Sequence, residues 1–439
     1  MAKAEREAWQ NWSGWVNAAP RARLKPKSEA ALAEGVKKAE GPLRAFGAGH
    51  SFTPIAATDG TLADLSLLSG VESADLQTGR AWIKAGTKLR ALGPLLQAEG
   101  LGLANQGDID AQSLSGAVGT GTHGTGKELP SISGAVSGFR LVTASGEVLT
   151  CSENENAVLF EAGRVSLGAF GVMSAIEMAC RPAYKLEESG GRMPLDRLFA
   201  QIDALARENR HFEFFWFPYA EEAYVKLLNE SEAPAEQKRR VPEGENAPSD
   251  DFFRAACELA IHFPAKRAGL QALMAGAGKP LDPAAPRKGH VYWSHDAFPS
   301  DRTVRFNEME FAVPAENGPD CIREVGRTMR EAGYNFLFPL EYRYVKGDDI
   351  WLSPFYGRDS ATISVHQYFK QPYEGLFREV EKVFHRYGGR PHWGKLHWLK
   401  GGELAGLYPK WNEFTKLRRE MDAKGKFLTP YMKALFGAA

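Results

Sequence analysis

The chain has 439 residues, with 54 Lys plus Arg against 54 Asp plus Glu and so no formal net charge. That balance excludes a global field favouring nucleic acid or an anionic membrane surface, and leaves any charged ligand to a local site. Hydrophobic residues are 44% and charged residues 25%, ordinary for a globular protein, and the length suits about two or three domains.

No apolar run approaches the ~18 residues of a membrane span, and the start MAKAEREAWQNWSGW lacks an apolar stretch before a small-residue cleavage site. Cys151, Cys180, Cys257 and Cys321 are scattered and are expected to be reduced, mostly buried thiols. The histidines show no HxxxH or HExxH, so no metal is expected, and His211, His262, His290, His295 and His385 read as packing or surface residues. These features together point to a cytoplasmic protein.

Ser28 is placed to cap a helix over SEAALAEGVKKAEG, whose Leu32, Val36 and Ala39 share a face. LRAF then reads as a strand feeding a Gly-rich turn, and RAWIKAG alternates in period two as a strand. Thr87 is expected to cap the following helix, and Gly93-Pro94 to kink or split it. FRLVTASGEVLTC reads as a hairpin across Ala144-Ser145-Gly146. The middle of the chain turns aromatic: HFEFFWFPY and YVKLLNE are β-prone strands, while residues 231–251 are polar and Pro-containing and read as a solvated loop. CIREVGRTMREAG places Ile322, Val325 and Met329 on one stripe. YEGLFREVEKVFHRYGG does the same with Phe377, Val380, Phe384 and Tyr387 before a Gly388-Gly389 stop. Each is followed by a β-prone run, FLFPLEYRYV and HWGKLHW, so helices should pack on one face of an antiparallel sheet.

Three Gly-rich segments compete for a nucleotide. GTGTHGTG has the G-x-G-x-x-G spacing at Gly119, Gly121 and Gly124, but TGKELP after it is a poor helix start, which a dinucleotide fingerprint requires. The run from Gly121 to Gly126-Lys127 approaches a P-loop, yet Glu128 stands where a magnesium-binding hydroxyl belongs. In FGAGHSF, a strand runs into Gly47-Ala48-Gly49 and then His50-Ser51, where small residues let backbone N–H groups converge on an anion. Alone, that segment is equally well a tight turn carrying a surface histidine.

The segments taken together change its weight. GAGHSF, NQGDIDAQSLSGAVGTGTHGTG, SLGAFGVMSAIEM, EYRYVKGDDIWLSPFYGRDS and RPHWGK, in that order over nearly the whole chain, resemble the FAD-linked oxidases of the vanillyl-alcohol oxidase type. Within them the likeness is to the sugar-1,4-lactone oxidases and the alditol oxidase. The resemblance implies a two-domain α+β fold: a FAD-binding domain over residues 1–183, a substrate (cap) domain with antiparallel sheet and helices over 184–390, and a segment over 391–439 returning to the flavin.

It further implies FAD bonded covalently to His50. Ala45, Phe46, Gly47, Ala48, Gly49 and Ser51 would wrap the diphosphate. Ser113, Gly116, Thr120, Gly121, Thr122 and His123 would line the flavin and its ribityl chain, with Val172, Met173 and His392 touching it. Glu341 and Arg343, on one face of a strand by their i, i+2 spacing, match the family's substrate pair. Lys395 matches its lysine near the reacting alcohol; beside Arg343 it is expected to act as a base. His366 and Ser364 are placed on the substrate side, and the VHQY form resembles the aldonolactone group. Gly107 falls where the family's residue lies over the flavin edge that meets dioxygen, so a glycine implies an oxidase releasing hydrogen peroxide. Asp108, counted with both the flavin and the substrate, departs from the serine of the alditol oxidase. The implied reaction is oxidation of an aldono-1,4-lactone to an ascorbate-type product. Oxidation of a polyol such as xylitol and an NADPH-dependent flavin reductase on the same fold stay open.

Overall fold

A computed structural model describes residues 7–242, 245–281 and 289–437. Two antiparallel sheets organise it. The first is six-stranded: Val148–Ser152, Val136–Val142, Val172–Pro182, Arg80–Lys84 and Val71–Asp75 run side by side, and Leu101–Leu103 joins the far end of Val172–Pro182. Beside it, Ala22–Leu24, Thr61–Asp64 and Leu43–Phe46 form a small parallel sheet. Ser28 caps the Glu29–Lys38 helix, its side chain accepting from the Ala31 N–H, and Leu32 and Val36 are buried.

The second sheet has eight strands, in the order His290–Trp293, Lys185–Pro194, Glu222–Glu230, His211–Trp216, Leu340–Val345, Ser360–Tyr368, Phe306–Pro314, Arg390–Pro391. Alternation gives its central strands two unlike faces. Phe214, Tyr342, Ile363 and Phe311 point to one side, where the helices Gly318–Glu331 and Glu374–Arg386 bury Ile322, Val325, Met329, Phe377, Val380 and Phe384. Phe311 and Phe384 stack there with centroids 4.8 Å apart. The opposite face carries the charged residues of the site. The α+β class and the helices on one face of an antiparallel sheet are therefore as read from the sequence.

Four local expectations change. Thr87 does not cap the Leu89–Ala98 helix; its hydroxyl donates to the Lys84 carbonyl at 2.6 Å and accepts from the Gly70 N–H at 2.9 Å, tying two turns together. The same helix runs unbroken through Pro94, and Gly93 is its point of closest approach, since a Cβ there would fall 2.4 Å from that of His295. HWGKLHW is not a strand, because its backbone is committed to a turn: Gly394 N–H donates to His392 Nδ1, and Lys395 N–H to the His392 carbonyl. Within residues 231–251, positions 243 and 244 lie outside the described residues. The rest is largely exposed, as expected of a solvated segment, but it is also pinned: Lys238 donates to the Pro299 carbonyl at 2.8 Å, Arg240 pairs with Asp110 and Asp301, and from Pro248 it joins the Pro248–His262 helix.

The four cysteines are unpaired, with Cys151, Cys257 and Cys321 buried and Cys180 half-buried. Burial pushes the thiols of Cys151 and Cys180 up to about 12. Among the described residues, no helix is long and apolar enough to cross a membrane. The chain's last third returns to its first: Leu43 N–H donates to the Lys426 carbonyl at 2.7 Å and Phe52 N–H to the Gly394 carbonyl at 2.8 Å.

Candidate active site

Two cavities, of about 140 and 570 Å³, adjoin along His50, Ser51, Gln112 and Thr120. The smaller is built by the turn that ends the Leu43–Phe46 strand. Ala45, Phe46, Gly47, Ala48 and Gly49 line it together with Ser113, Gly116, Val172 and Met173. A Cβ on Gly47 would fall 2.1 Å from Ser113 Oγ, and Gly49 has φ +68° with the Trp9 ring 3.4 Å from where its Cβ would be, so neither position accepts a side chain.

Arg44 lies in the same wall. Its guanidinium donates to the carbonyls of Ile55 (2.7 Å), Gly168 and Phe427 (3.2 Å each) and Leu167, with no carboxylate among these partners. Burial alone lowers it to about 10, so it stays charged at neutral pH. A narrow, glycine-lined cavity beside a buried cation fits the diphosphate of FAD.

The larger cavity is floored by the charged face of the eight-stranded sheet. Antiparallel register places Glu213 opposite both Lys226 and Arg343, Phe215 opposite Glu341, and Glu308 opposite His366. All of these residues line the cavity. Arg343 donates to Glu213 at 2.8 Å and also contacts Glu341, while Lys226 pairs with Glu213 at 3.4 Å. From the roof, Asp108 accepts from Ser300 Oγ at 2.6 Å and from Arg302 Nε at 3.1 Å. Burial opposes the charge on Asp108, but Arg302, Arg343 and Lys226 outweigh it and hold the carboxyl well below its usual range. Burial pushes Glu341 the other way, up to about 8, with Arg343 opposing the rise and Glu213 adding to it.

A second cluster lies where the His392 turn meets the sheet. Lys395 Nζ sits 2.5 Å from Glu308 Oε2, and His366 Nε2 lies 3.6 Å from Glu308 Oε1. His366 Nδ1 faces the Pro339 carbonyl at 3.2 Å and so carries the ring hydrogen, leaving Nε2 open. Burial lowers His366 and His392 to about 4, making both neutral at pH 7. Glu310 Oε1 and His123 Nε2 hydrogen-bond across 2.6 Å, and the Glu310 carboxyl is held well below its usual range because His123 outweighs the cost of burial. Two sets here, His123–Glu310–His392 and Glu308–Glu341–His366, hold ligand-type atoms within 4.8 Å of one another, but the contacts above already engage them.

Of the residues singled out in sequence, His50, Ser51, Gly107, Asp108, Thr120, Thr122, His123, Glu341, Arg343, His366, His392 and Lys395 surround the larger cavity. Two do not behave as expected. Ser364 donates to Glu310 Oε2 at 2.8 Å and is absent from the cavity wall, and Gly121 lines neither cavity. Lys395 is ion-paired with Glu308, while strand register sets Arg343 beside Glu213. Glu213, Lys226, Glu308, Glu310, Arg302 and Arg44 were not anticipated. Glu308 and Glu310 had a readable signal: two carboxylates at i, i+2 in the strand-like run FNEMEFAV, whose Met309, Phe311 and Val313 alternate with them as apolar residues.

The D-arabinono-1,4-lactone oxidase family model matches residues 176–435, and the FAD binding domain model matches residues 20–152. An L-gulono-1,4-lactone dehydrogenase of Mycobacterium tuberculosis is 38% identical over 98% of this chain and 99% of its own length. An L-gulonolactone oxidase of Bos taurus is 27% identical over 98% of each chain, and an alditol oxidase of a Streptomyces species is 26% identical over 97% of this chain and 98% of its own. In fold, the chain resembles cholesterol oxidase from Brevibacterium sterolicum, with a TM-score of 0.79 at 19% identity over 98% of this chain and 96% of that one. By the length of the first match and the identity of these full-length relatives, the chain belongs to the D-arabinono-1,4-lactone oxidase family.

Proposed function

We propose that the protein oxidises a ring hydroxyl of an aldono-1,4-lactone, with FAD attached through His50 and dioxygen as acceptor, giving hydrogen peroxide and an ascorbate-type product in the cytoplasm. The observation that carries this reading is the union, in one 570 Å³ cavity, of His50 with the sheet face bearing Glu341, Arg343, Glu308 and Lys395. FAD, when bound, supplies the two-electron acceptor for the substrate's C–H hydride.

The chain's own groups do the rest. Arg343 and Glu341 hold the lactone's ring oxygen and free hydroxyls, with Lys226 and Glu213 fixing the arginine. Lys395, already paired with Glu308, places positive charge on the reacting oxygen as its negative charge develops. The hydroxyl proton passes by way of Glu308 to the open Nε2 of His366. The floor interleaves both signs of charge, which suits a neutral polyhydroxylated ring better than the carboxylate of the opened acid. On this reading residues 1–183 hold FAD, 184–390 supply the floor, and 391–439 bring His392 and Lys395 back to it.

The test is a panel. Gulono-, galactono- and arabinono-1,4-lactone should release peroxide at kcat/KM well above xylitol and sorbitol; the reverse order makes the protein a polyol oxidase. A dehydrogenase is the second reading, favoured by the name of the M. tuberculosis relative. It predicts rapid dye reduction with the lactones and no peroxide. Acid-precipitated, washed protein should stay yellow, and His50→Ala should release the flavin.

A further inference from the structure

We propose that the hairpin of residues 9–18 is a clip whose Trp12 and Asn11 position the His50 imidazole for bond formation with the flavin. The proposal rests on the reading above that His50 is the attachment point. Strands Trp9–Gln10 and Asn17–Ala18 pair antiparallel, and the loop between them lies against the Gly47–Ser51 turn. Three contacts bracket His50, one on its ring and one on each neighbouring residue. The Trp12 ring stacks on the His50 ring with centroids 5.3 Å apart and planes 22° from parallel. Trp12 N–H donates to the Gly49 carbonyl at 2.8 Å, and Asn11 Nδ2 donates to the Ser51 carbonyl at 3.0 Å. The carbonyls on both sides of His50 are thereby held, and so is one face of its ring.

The clip is itself rigid. Asn11 is buried, and its Oδ1 accepts from the N–H groups of Gly14 (3.1 Å) and Val16 (3.0 Å). Behind Trp12, Phe306 meets the indole edge-on at 5.1 Å. His50 lies where the two cavities join, so its ring direction decides which cavity the nucleophilic nitrogen faces.

Attachment exchanges an imidazole N–H and a C–H of the flavin 8α-methyl for a C–N bond. The two protons and two electrons released would reduce the flavin, and a two-electron acceptor such as dioxygen would restore it. Nothing in that step needs a base from the clip; what the clip supplies is orientation, which sets the rate of an intramolecular attack.

The experiment follows FAD added to flavin-depleted, full-length protein and measures acid-stable flavin, by intact mass, against total bound flavin. Trp12→Leu keeps an apolar side chain but loses the flat ring. Its attachment rate should fall about three- to tenfold, the scale of one aromatic pair, with total bound flavin unchanged. Trp12→Phe should restore most of the rate, and Asn11→Ala should slow it without altering total flavin. An unchanged rate in Trp12→Leu, or an equal loss of total flavin, overturns the clip. Should wild-type flavin never become acid-stable, the attachment reading fails, and the clip is judged on unloaded protein by the acylation of His50 with diethyl pyrocarbonate. A faster reaction in Trp12→Leu than in wild type supports it there, and an equal rate overturns it.

Discussion

Arg44 gives the sharpest test of how the cofactor's charge is met. Its guanidinium has four backbone carbonyls as partners and stays protonated, so the empty protein carries an unneutralised buried cation in the wall of the smaller cavity. Opposite charges ~8 Å apart in an effective dielectric of ~20 attract by about 2 kcal/mol. Arg44→Met should therefore weaken FAD binding about 30-fold through charge alone. The same substitution strips donors from four carbonyls, at about 1–3 kcal/mol for each one left buried and unbonded. Arg44→Lys shares much of that second loss and keeps the charge, so the two variants separate the effects. Binding has to be reversible, so both are made on a His50→Ala background and titrated with FAD by quenching of flavin fluorescence. The charge argument expects Arg44→Lys within a few-fold of the parent and Arg44→Met about tenfold or more weaker than Arg44→Lys. Equal weakening would refute it and make Arg44 a brace only.

Three further outcomes are expected. Lys395→Met should cut the rate of flavin reduction by lactone about 10²- to 10³-fold in anaerobic stopped flow, with FAD content unchanged, since Nζ is the charge nearest the reacting oxygen on this account; a normal rate would sink that role. Gly107→Ala puts a Cβ 3.1 Å from the His123 carbonyl and 3.3 Å from Thr122 Cγ2, so peroxide formation should fall more than dye-linked turnover, and equal falls would show that this edge does not admit oxygen. Burial lowers His366, His392 and His397 to about 4, below the ordinary 6.5. An unfolded chain takes up protons that these folded rings refuse, so their stability contribution is complete above 6.5 and is lost as pH falls toward 4, by up to about 3 kcal/mol per ring. Glu341, raised to about 8, and Asp348, raised to about 6, work in the opposite sense, while His211, lowered to about 3, adds to the other histidines. The urea midpoint should be lower at pH 5 than at pH 7.

Much of this was legible where a residue's role follows from local periodicity. The Ser28 cap, the Gly47–His50 turn and the Glu341/Arg343 pair depend on neighbours within four positions, and the structure places each of them on the element expected. Partners set by strand register were not legible. Lys395 meets Glu308 across 87 positions and Arg343 meets Glu213 across 130, and no spacing in the sequence records either pairing. Thr87 and Pro94 misled for a related reason: a hydroxyl two residues before a helix, and a proline within it, are settled by what packs against them. Trp12 looked like part of an unremarkable polar and aromatic start, and its role emerges only when residues 11–12 meet residues 49–51.

The long return of the chain has a consequence for biosynthesis. The strand that opens into the flavin turn is completed by Lys426, and Arg44 is completed by Phe427, 383 residues downstream. A ribosome that has released only the first two hundred residues has made the glycine turn and the carbonyls of Ile55, Leu167 and Gly168, but not the Phe427 carbonyl or the Lys426 carbonyl that completes the strand. The wall of the smaller cavity is therefore closed only when the last residues of the chain have been made.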